Sequence, residues 1–219
     1  MTTATLRIDI VSDVVCPWCI VGYRQLKQAV EATGASVDIH WHPFELNPNM
    51  PAEGQNMVEH LMEKYGSSQA ESHANRDRLT AIGEDLDFTF SFADDMRMHN
   101  TFNTHQLLHW ATLQGHGDAL KQALFVAHFT NGRDLSDIAV LADIAFETGL
   151  DREEAAAILA DQRFADAVRA EEKFWIQQGI SGVPAVVFDR QHLVTGAQGV
   201  ENYTSILTQL TKSSEAEAG

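Results

Sequence analysis

Cys16-Pro17-Trp18-Cys19 stands between two segments of different periodicity, and its cysteines are the only two among 219 residues. The run Leu6-Arg7-Ile8-Asp9-Ile10-Val11 before it is apolar with interleaved charges, which predicts a strand. The run 20–33 after it has the spaced apolar residues of a helix. A Cys-x-x-Cys at a turn from strand to helix is typical of thiol redox motifs.

The two thiols of this motif are predicted to have different roles. Unpaired N–H groups at the first turn of a helix stabilise a negative charge, so Cys16 is the predicted nucleophile. Cys19 faces inward one turn later and is the predicted resolving thiol. Pro17 fits the first helical position, where no N–H group is needed.

The composition limits the classes of partner. The net charge of −16, from 31 acidic and 15 basic residues, argues against nucleic acid and anionic membranes. No apolar run approaches the roughly 20 residues of a membrane span. The segment Met1-Thr2-Thr3-Ala4-Thr5 lacks the charged and apolar regions of a signal peptide, so we expect a cytoplasmic protein. In a reducing compartment a cysteine pair indicates redox chemistry or metal binding.

The rest of the chain predicts two sheet segments separated by helices. Gly34 is the predicted C-cap of the first helix. The run Val37-Asp38-Ile39-His40-Trp41-His42 then alternates as a strand, and Pro43 ends it. Phe88-Thr89-Phe90-Ser91-Phe92 is interpreted as an extended connector. The predicted helices of the middle segment are 55–65, 68–86, 101–114, 118–130, 137–148, 151–160 and 163–178. Strands 183–188 and 192–195 and a helix over 200–210 complete the chain.

The order β-α-β, helices, β-β-α predicts an α/β thioredoxin-like fold with a large inserted helical domain. Residues 1–52 and 180–213 form the predicted thioredoxin-like domain. Residues 53–179 form the predicted insertion, which would lie over the cysteine pair. Residues 214–219 are predicted to be a flexible tail.

Gly182-Val183-Pro184 is the second motif of interest. A proline that opens a strand is compatible with an edge strand. Beside a Cys-x-x-Cys in this order of elements, a cis Val183–Pro184 bond is favoured. The Val183 backbone would then face the cysteines and could pair with an extended substrate.

Zinc is the alternative for the cysteine pair, because two cysteines can form half of a closed site. His105 and His109, spaced i and i+4, are the nearest candidates for the remaining ligands. There is no second Cys-x-x-Cys, so redox chemistry is favoured and no metal is expected.

Several polar residues near the motif have more than one interpretation. Asp13 is interpreted as a turn-forming residue, with a proton acceptor as the alternative. Asp9 is either a buried acid or a solvent-facing strand residue. His40 and His42 share one strand face and are assigned to packing or to the surface. Trp18 carries no positive charge, which predicts a less oxidising dithiol than a His-containing motif.

These motifs together resemble the DsbA-like thioredoxin-fold family, most closely its FrnE-like cytoplasmic branch. The resemblance extends from about residue 6 to residue 210. The matching segments are 8–22, Pro43-Phe44-Glu45-Leu46-Asn47-Pro48, Asn100-Thr101 with His105, Gly179-Ile180-Ser181-Gly182-Val183-Pro184 and Gly196-Ala197-Gln198. The buried Glu of periplasmic relatives has no clear equivalent, so the proton-transfer group stays open.

The resemblance implies a thiol-disulfide oxidoreductase or isomerase with Cys16, Cys19 and Pro184 as catalytic residues. Its implied partners are protein or small-molecule thiols and disulfides. No resident cofactor is expected. Candidate substrate-binding residues are Pro17, Trp18, Val183, Asn100 and His105, of which Asn100 has helix capping as its alternative role.

The superfamily also contains glutathione-dependent 2-hydroxychromene-2-carboxylate isomerases and kappa-class glutathione transferases. Those relatives carry Ser in place of the cysteine pair. The second functional hypothesis is therefore a glutathione-using isomerase or transferase that acts on an aromatic or polyketide-like molecule, with glutathione as co-substrate.

Overall fold

The computed structural model describes residues 5–51 and 53–217, and for residues 213–217 it gives the backbone alone. Its elements, in chain order, are β1 (Leu6–Ser12), α1 (Pro17–Thr33), β2 (Val37–Pro43), β3 (Gln55–Asn56), α2 (Met57–Tyr65), α3 (Gln69–Asp85), β4 (Arg97–Met98), α4 (Phe102–Leu113), α5 (Gly117–Phe129), α6 (Ile138–Glu147), α7 (Arg152–Ala160), α8 (Ala165–Gln177), β5 (Ala185–Phe188), β6 (His192–Thr195) and α9 (Val200–Glu217). This order confirms the predicted thioredoxin-like fold with a helical insertion.

The central sheet has the strand order β2-β1-β5-β6. Strands β1 and β2 are parallel, with Leu6 opposite Val37, and α1 forms the crossover that parallel strands require. Strand β5 pairs antiparallel with β1, with Val11 opposite Ala185. The residues before Ala185 therefore lie beside the turn that follows β1, which brings Val183 and Pro184 to the cysteine motif.

Both faces of β1 are covered. Ile8 and Ile10 point into the main core and are 0 % and 1 % exposed. Val11, on the opposite face, belongs to a smaller apolar cluster with Trp175 of α8. Burying an Ile side chain contributes roughly 1.5–3 kcal/mol, so helices on both sides of the sheet hold the strand that leads to Cys16.

The insertion and the sheet share one hydrophobic core. Ile10 of β1 belongs to the same cluster of buried residues as Leu107 of α4 and Phe125 of α5. The predicted connector 88–92 forms neither a helix nor a strand, and within it Phe90 stacks on Phe92 with 5.3 Å between ring centroids. The helices are therefore packed directly onto the domain that carries the cysteines. The domain boundaries at residues 53 and 179 remain predictions.

Helix α1 begins and ends as its sequence indicates. Pro17 occupies its first turn. Gly34 follows its last residue with φ of 64°, and the Gly34 N–H donates to the Val30 carbonyl at 2.9 Å. Such a left-handed conformation is available to glycine without steric cost, which explains the helix end at this residue.

Two boundaries that differ from the prediction have a physical reason. Strand β5 begins at Ala185 instead of Val183, because Pro184 has no N–H for the ladder. Helix α9 continues to Glu217, past its predicted end at residue 210, so it includes residues 214–217 of the predicted flexible tail. The segment Ser213-Ser214-Glu215-Ala216-Glu217 contains no Gly or Pro to end a helix, and Ala and Glu favour one. Residues 218 and 219 lie outside the described residues.

The small pair β3 and β4 was not predicted, because two residues per strand are too few to show a period. Within residues 5–51 and 53–217, no helix is long and apolar enough to cross a membrane.

Candidate active site

Cys16 lies directly before α1, at the end of a turn fixed by main-chain hydrogen bonds. The Cys16 N–H donates to the Asp13 carbonyl at 3.3 Å, and the Cys19 N–H donates to the Cys16 carbonyl at 3.0 Å. This turn places Cys16 Sγ at the N-terminus of α1. Unpaired helix N–H groups and the helix dipole stabilise a negative charge on the sulfur there.

Cys16 lines a cavity of about 600 Å³ between α1 and the first two helices of the insertion. Its side chain is deeply set, since only 4 % of the residue is exposed. The thiol donates to the Val183 carbonyl at a sulfur–oxygen distance of 3.7 Å. The Val183–Pro184 peptide bond is cis, as predicted. A reacting sulfur must therefore enter this cavity, where it meets Cys16 and the Val183 backbone together.

Cys19 lies behind Cys16 and is fully buried, with both cysteines present as free thiols. Burial raises the pKa of Cys19 well above its usual value, and the neighbouring Cys16 sulfur raises it further. Cys19 therefore stays protonated at neutral pH and needs a nearby acceptor before it can attack.

Asp13 is buried beneath the motif and does not act as a turn-forming side chain. Asp13 is 0 % exposed, and its carboxylate accepts a hydrogen bond from the Leu46 N–H at 2.8 Å. The turn uses the Asp13 main-chain carbonyl instead. His105 Nε2 lies 3.6 Å from Asp13 Oδ1, just beyond hydrogen-bond distance. The preferred interpretation of Asp13 was therefore wrong, because β1 and its following turn are covered on all sides.

Asp13 keeps its negative charge in this position. Burial by itself raises the pKa of the Asp13 carboxyl, but His105 and the Leu46 N–H outweigh burial, so that the pKa is lower than usual. A carboxylate that stays ionised is a weak proton acceptor near neutral pH. Asp13 is better suited to hold a positive charge close to the cysteines.

Lys121 of α5 is the buried cation that faces this group, and it is 1 % exposed. Burial lowers the pKa of Lys121 to about 8, although the negative charges of Cys19, Asp13 and Cys16 act in the opposite direction. Its ammonium also lies 5.2 Å from the ring centroids of Trp41 and Phe125. Near neutral pH a fraction of Lys121 is uncharged and can accept a proton.

A second cavity, of about 480 Å³, reaches Lys121 and His105 from the outer side of β2. Its lining does not include either cysteine, whereas the first cavity contains Cys16. The buried polar groups beneath the motif thus border a second cavity, separate from that of Cys16.

A family model for the DSBA-like thioredoxin domain matches residues 7–208. The chain belongs to the DSBA-like thioredoxin domain family. This match spans nearly all of β1, the cysteine motif, the whole insertion and the first half of α9, so the site just described lies inside the family's domain.

Three solved structures are similar to this chain in fold. A probable DsbA oxidoreductase from Streptomyces coelicolor is 37% identical, with a TM-score of 0.88 over 93% of this chain and 89% of that one. A 2-hydroxychromene-2-carboxylate isomerase is 14% identical, with a TM-score of 0.71 over 97% and 99% of the two chains. The cytosolic disulfide reductase DsbM from Pseudomonas aeruginosa is 19% identical, with a TM-score of 0.63 over 93% and 98%. The two more distant structures share the fold, and the family supports an enzyme of the oxidoreductase or isomerase class.

The predicted substrate-binding residues of this DSBA-like domain separate into two groups. Pro17, Trp18 and Val183 line the cavity with Cys16. Asn100 and His105 do not belong to its lining. The Asn100 side chain accepts the Phe102 N–H at 2.9 Å, which caps α4, and His105 lies behind the cysteines against Asp13. Their placement does not support direct substrate contact, because the loop 43–48 lies between α4 and the cavity.

The two histidines considered as zinc ligands face different partners. His105 Nε2 is 3.2 Å from the Phe44 carbonyl, whereas His109 Nδ1 is 3.8 Å from a Glu171 oxygen. Among the residues that the structure describes, no cluster of three or more His, Cys, Asp or Glu side chains could hold a metal ion.

Asp9 is a buried acid, and the solvent-facing alternative is wrong. The residue is 1 % exposed because α8 covers its face of the sheet. Its carboxylate pairs with Arg7 at 2.6 Å and with His42 Nε2 at 2.7 Å, and His42 Nδ1 is 2.6 Å from Glu171. His40 instead pairs with an exposed acid on the surface. These contacts join β1, β2 and α8 and do not reach the Cys16 cavity.

Lys121 is the site residue that sequence reasoning missed. Lysine is almost never fully buried, so it is normally assigned to a solvent face. One signal was present: Lys121 lies between Leu120 and Leu124, at the spacing of the apolar face of α5. A charged residue on that face, in a helix that packs toward a reactive thiol, indicates a functional group.

Proposed function

We propose that this protein is a cytoplasmic thiol-disulfide oxidoreductase or isomerase that acts through the Cys16–Cys19 dithiol. The observation that supports it most is the position of Cys16 Sγ, at a helix N-terminus, in an open cavity and 3.7 Å from the Val183 carbonyl. The buried Cys19 behind it supplies the second thiol. Substrates are protein or small-molecule disulfides and thiols.

In the first step the Cys16 thiolate attacks one sulfur of the substrate disulfide. A Cys16–substrate disulfide forms, the substrate S–S bond breaks, and the second substrate sulfur leaves as a thiolate. The helix N-terminus stabilises the attacking charge. The Val183 backbone beside Cys16 can align an extended substrate by strand addition.

In the second step Cys19 loses its proton and attacks Cys16 Sγ. The Cys16–Cys19 disulfide forms and the remaining substrate thiolate is released, so two electrons pass from the dithiol to the substrate. Uncharged Lys121 accepts the Cys19 proton, and Asp13 stabilises the resulting ammonium ion. The reverse sequence oxidises substrate thiols.

Glutathione is the small thiol we propose as a partner. One structure of the fold neighbour DsbM from Pseudomonas aeruginosa is described with GSH. The volume of the Cys16 cavity, about 600 Å³, falls within the range of roughly 300–1,000 Å³ for small-molecule sites.

A second candidate is a glutathione-dependent isomerase or transferase for an aromatic small molecule. The fold likeness to 2-hydroxychromene-2-carboxylate isomerase and the largely apolar cavity favour it. In that reaction Cys19 has no required role.

Insulin-disulfide reduction by wild type, Cys16→Ser and Cys19→Ser tests the proposal. We expect both variants to lose turnover, and Cys19→Ser to retain one round of reaction at Cys16. Full reduction by Cys16→Ser would refute the dithiol mechanism. Isomerisation or conjugation of an aromatic substrate that requires glutathione and survives Cys19→Ser would favour the second candidate.

A further inference from the structure

Two residues of α3 that line the same cavity as Cys16 carry unpartnered polar groups. Arg76 is 6 % exposed and Ser72 is 4 % exposed, and both line this cavity. Within the described part of the chain, Nε and Nη2 of Arg76 and Oγ of Ser72 have no hydrogen-bond partner. Buried donors of this kind cost free energy when unpaired, so their occurrence on two residues that line one cavity points to a ligand.

The free atoms of Arg76 form one edge of its guanidinium group. Nε and Nη2 point in parallel, which is the fork that binds the two oxygens of a carboxylate. The remaining nitrogen, Nη1, is 3.5 Å from Asp94, whose side chain is 91% exposed, so that pair is weak. Ser72 is one helical turn from Arg76 on the same face of α3 and offers a third donor.

We propose that Arg76 and Ser72 bind a carboxylate of the thiol or disulfide that reacts at Cys16. This inference rests on the proposed function and specifies its substrate class: small or peptide-like sulfur compounds with a carboxylate within reach of the reacting sulfur. The apolar side chains of Leu61 and Leu79 line the same cavity and suit the aliphatic part of such a molecule.

A single carboxylate fits this subsite better than a dianion. Arg76 supplies one positive charge, and Glu71 also lines the cavity. The chain has a net charge of −16, so an acidic substrate gains no long-range attraction. A local buried cation is then the element that retains it.

Oxidised glutathione and its fully esterified form are suitable probes, because they share the disulfide and differ in their carboxylates. Reduced protein is mixed with each probe, and the second-order rate constant for formation of the Cys16–Cys19 disulfide is measured. In Arg76→Gln we expect this constant to fall about 10- to 100-fold for the acid, the effect of a lost hydrogen bond to a charged group. We expect less than about a threefold change for the ester.

Arg76→Lys keeps the charge and loses the fork, so it should recover only part of the preference for the acid. The matched control is Arg152→Gln, which removes the same charge from an exposed ion pair with Asp143 outside the cavity. It should leave both rate constants unchanged. The comparison of acid with ester in each variant separates the carboxylate contact from changes in overall charge.

The stability of a variant without the guanidinium group distinguishes a ligand-binding arginine from one that is needed for folding. Arg76→Met removes buried unpaired donors, so its unfolding midpoint should stay the same or rise. Equal losses for acid and ester in Arg76→Gln, or a marked fall in the midpoint of Arg76→Met, would overturn the subsite and leave the dithiol mechanism standing. Failure of the wild type to form the Cys16–Cys19 disulfide with either probe would instead refute the proposed function.

Discussion

Replacing Lys121 with Met tests the proposed proton acceptor by both stability and kinetics. The folded protein lowers the pKa of Lys121 from 10.5 to about 8. At about 1.36 kcal/mol per tenfold change in proton affinity, this difference corresponds to roughly 3 kcal/mol against folding when Lys121 is protonated. Lost cation–π contacts with Trp41 and Phe125 offset about 1 kcal/mol. We therefore expect Lys121→Met to raise the free energy of unfolding at pH 7 by about 2 kcal/mol.

The pH dependence gives the sign of this effect. Well below pH 8 Lys121 is protonated in both states, and the destabilisation is fully present. Between about pH 8 and the unfolded pKa of 10.5 the unfolded chain binds the extra proton, so the wild type becomes more stable as pH rises. The advantage of Lys121→Met should shrink by about 2 kcal/mol between pH 7 and roughly pH 9.5. Urea unfolding of both proteins measures it, and taking the difference cancels the titration of other groups.

The same substitution should slow the second chemical step. Without Lys121, Cys19 loses its nearby uncharged acceptor, and a positioned base contributes roughly 10²-fold or more to such a step. We expect the Cys16–substrate disulfide to persist at least about tenfold longer near neutral pH, while its formation is little changed. Rapid acid quench and mass spectrometry distinguish the two steps.

Lys27→Met is the control, because it makes the same substitution on an exposed face of α1. Its stability should change by no more than about 0.5 kcal/mol at every pH. If Lys121→Met were less stable than wild type by an amount independent of pH, Lys121 would be a permanently charged partner of Asp13. If the mixed disulfide resolved at the wild-type rate, another group would be the acceptor.

Three further substitutions test separate parts of the site. Cys19→Ser should trap a covalent Cys16–substrate adduct that mass spectrometry detects and dithiothreitol removes; its absence with a reactive disulfide would contradict the assigned order of attack. Trp18→His should raise the Cys16–Cys19 reduction potential in glutathione buffers by about 30 mV or more, because a cation stabilises the reduced thiolate; an unchanged or lower value would show that packing outweighs this charge. Asp9→Ala should lower the free energy of unfolding by about 2 kcal/mol, because it leaves buried partners of the carboxylate unpaired. Asp38→Ala removes an exposed carboxylate and should change stability by less than about 1 kcal/mol; equal effects of the two would contradict the special position of Asp9.

The cysteine pair and Pro184 can be predicted from the sequence, because short local motifs and the order of elements identify them. The Cys-x-x-Cys at a strand-to-helix turn identifies Cys16 and Cys19 without knowledge of the rest of the fold. The position of Pro184 follows from the order of elements, since an antiparallel β5 beside β1 brings the residues before Ala185 to the same turn.

The electrostatic surroundings of the cysteines depend on tertiary packing and could not be predicted in the same way. Alternation along β1 places Asp9 opposite the Ile8 face, but only the packing of α8 decides whether that face is buried. Lys121 and Arg76 lie about 100 and 60 residues from the motif along the chain. A charged residue within a helix indicates a solvent face unless the covering element is known.

In the proposed mechanism, disulfide exchange takes place in the first cavity, whereas the proton leaves through the second. Substrate disulfide enters the first cavity, where Cys16 and the Val183 backbone lie, while Cys19 remains enclosed behind them. Cys19 does not line the first cavity, so with a mixed disulfide on Cys16 we expect its proton to leave by another side. The second cavity reaches Lys121 from the outer side of β2, so Lys121 can return its proton to solvent there with substrate still bound. A substitution that fills the second cavity should therefore slow resolution of the mixed disulfide without changing its formation, whereas one that fills the first should slow formation.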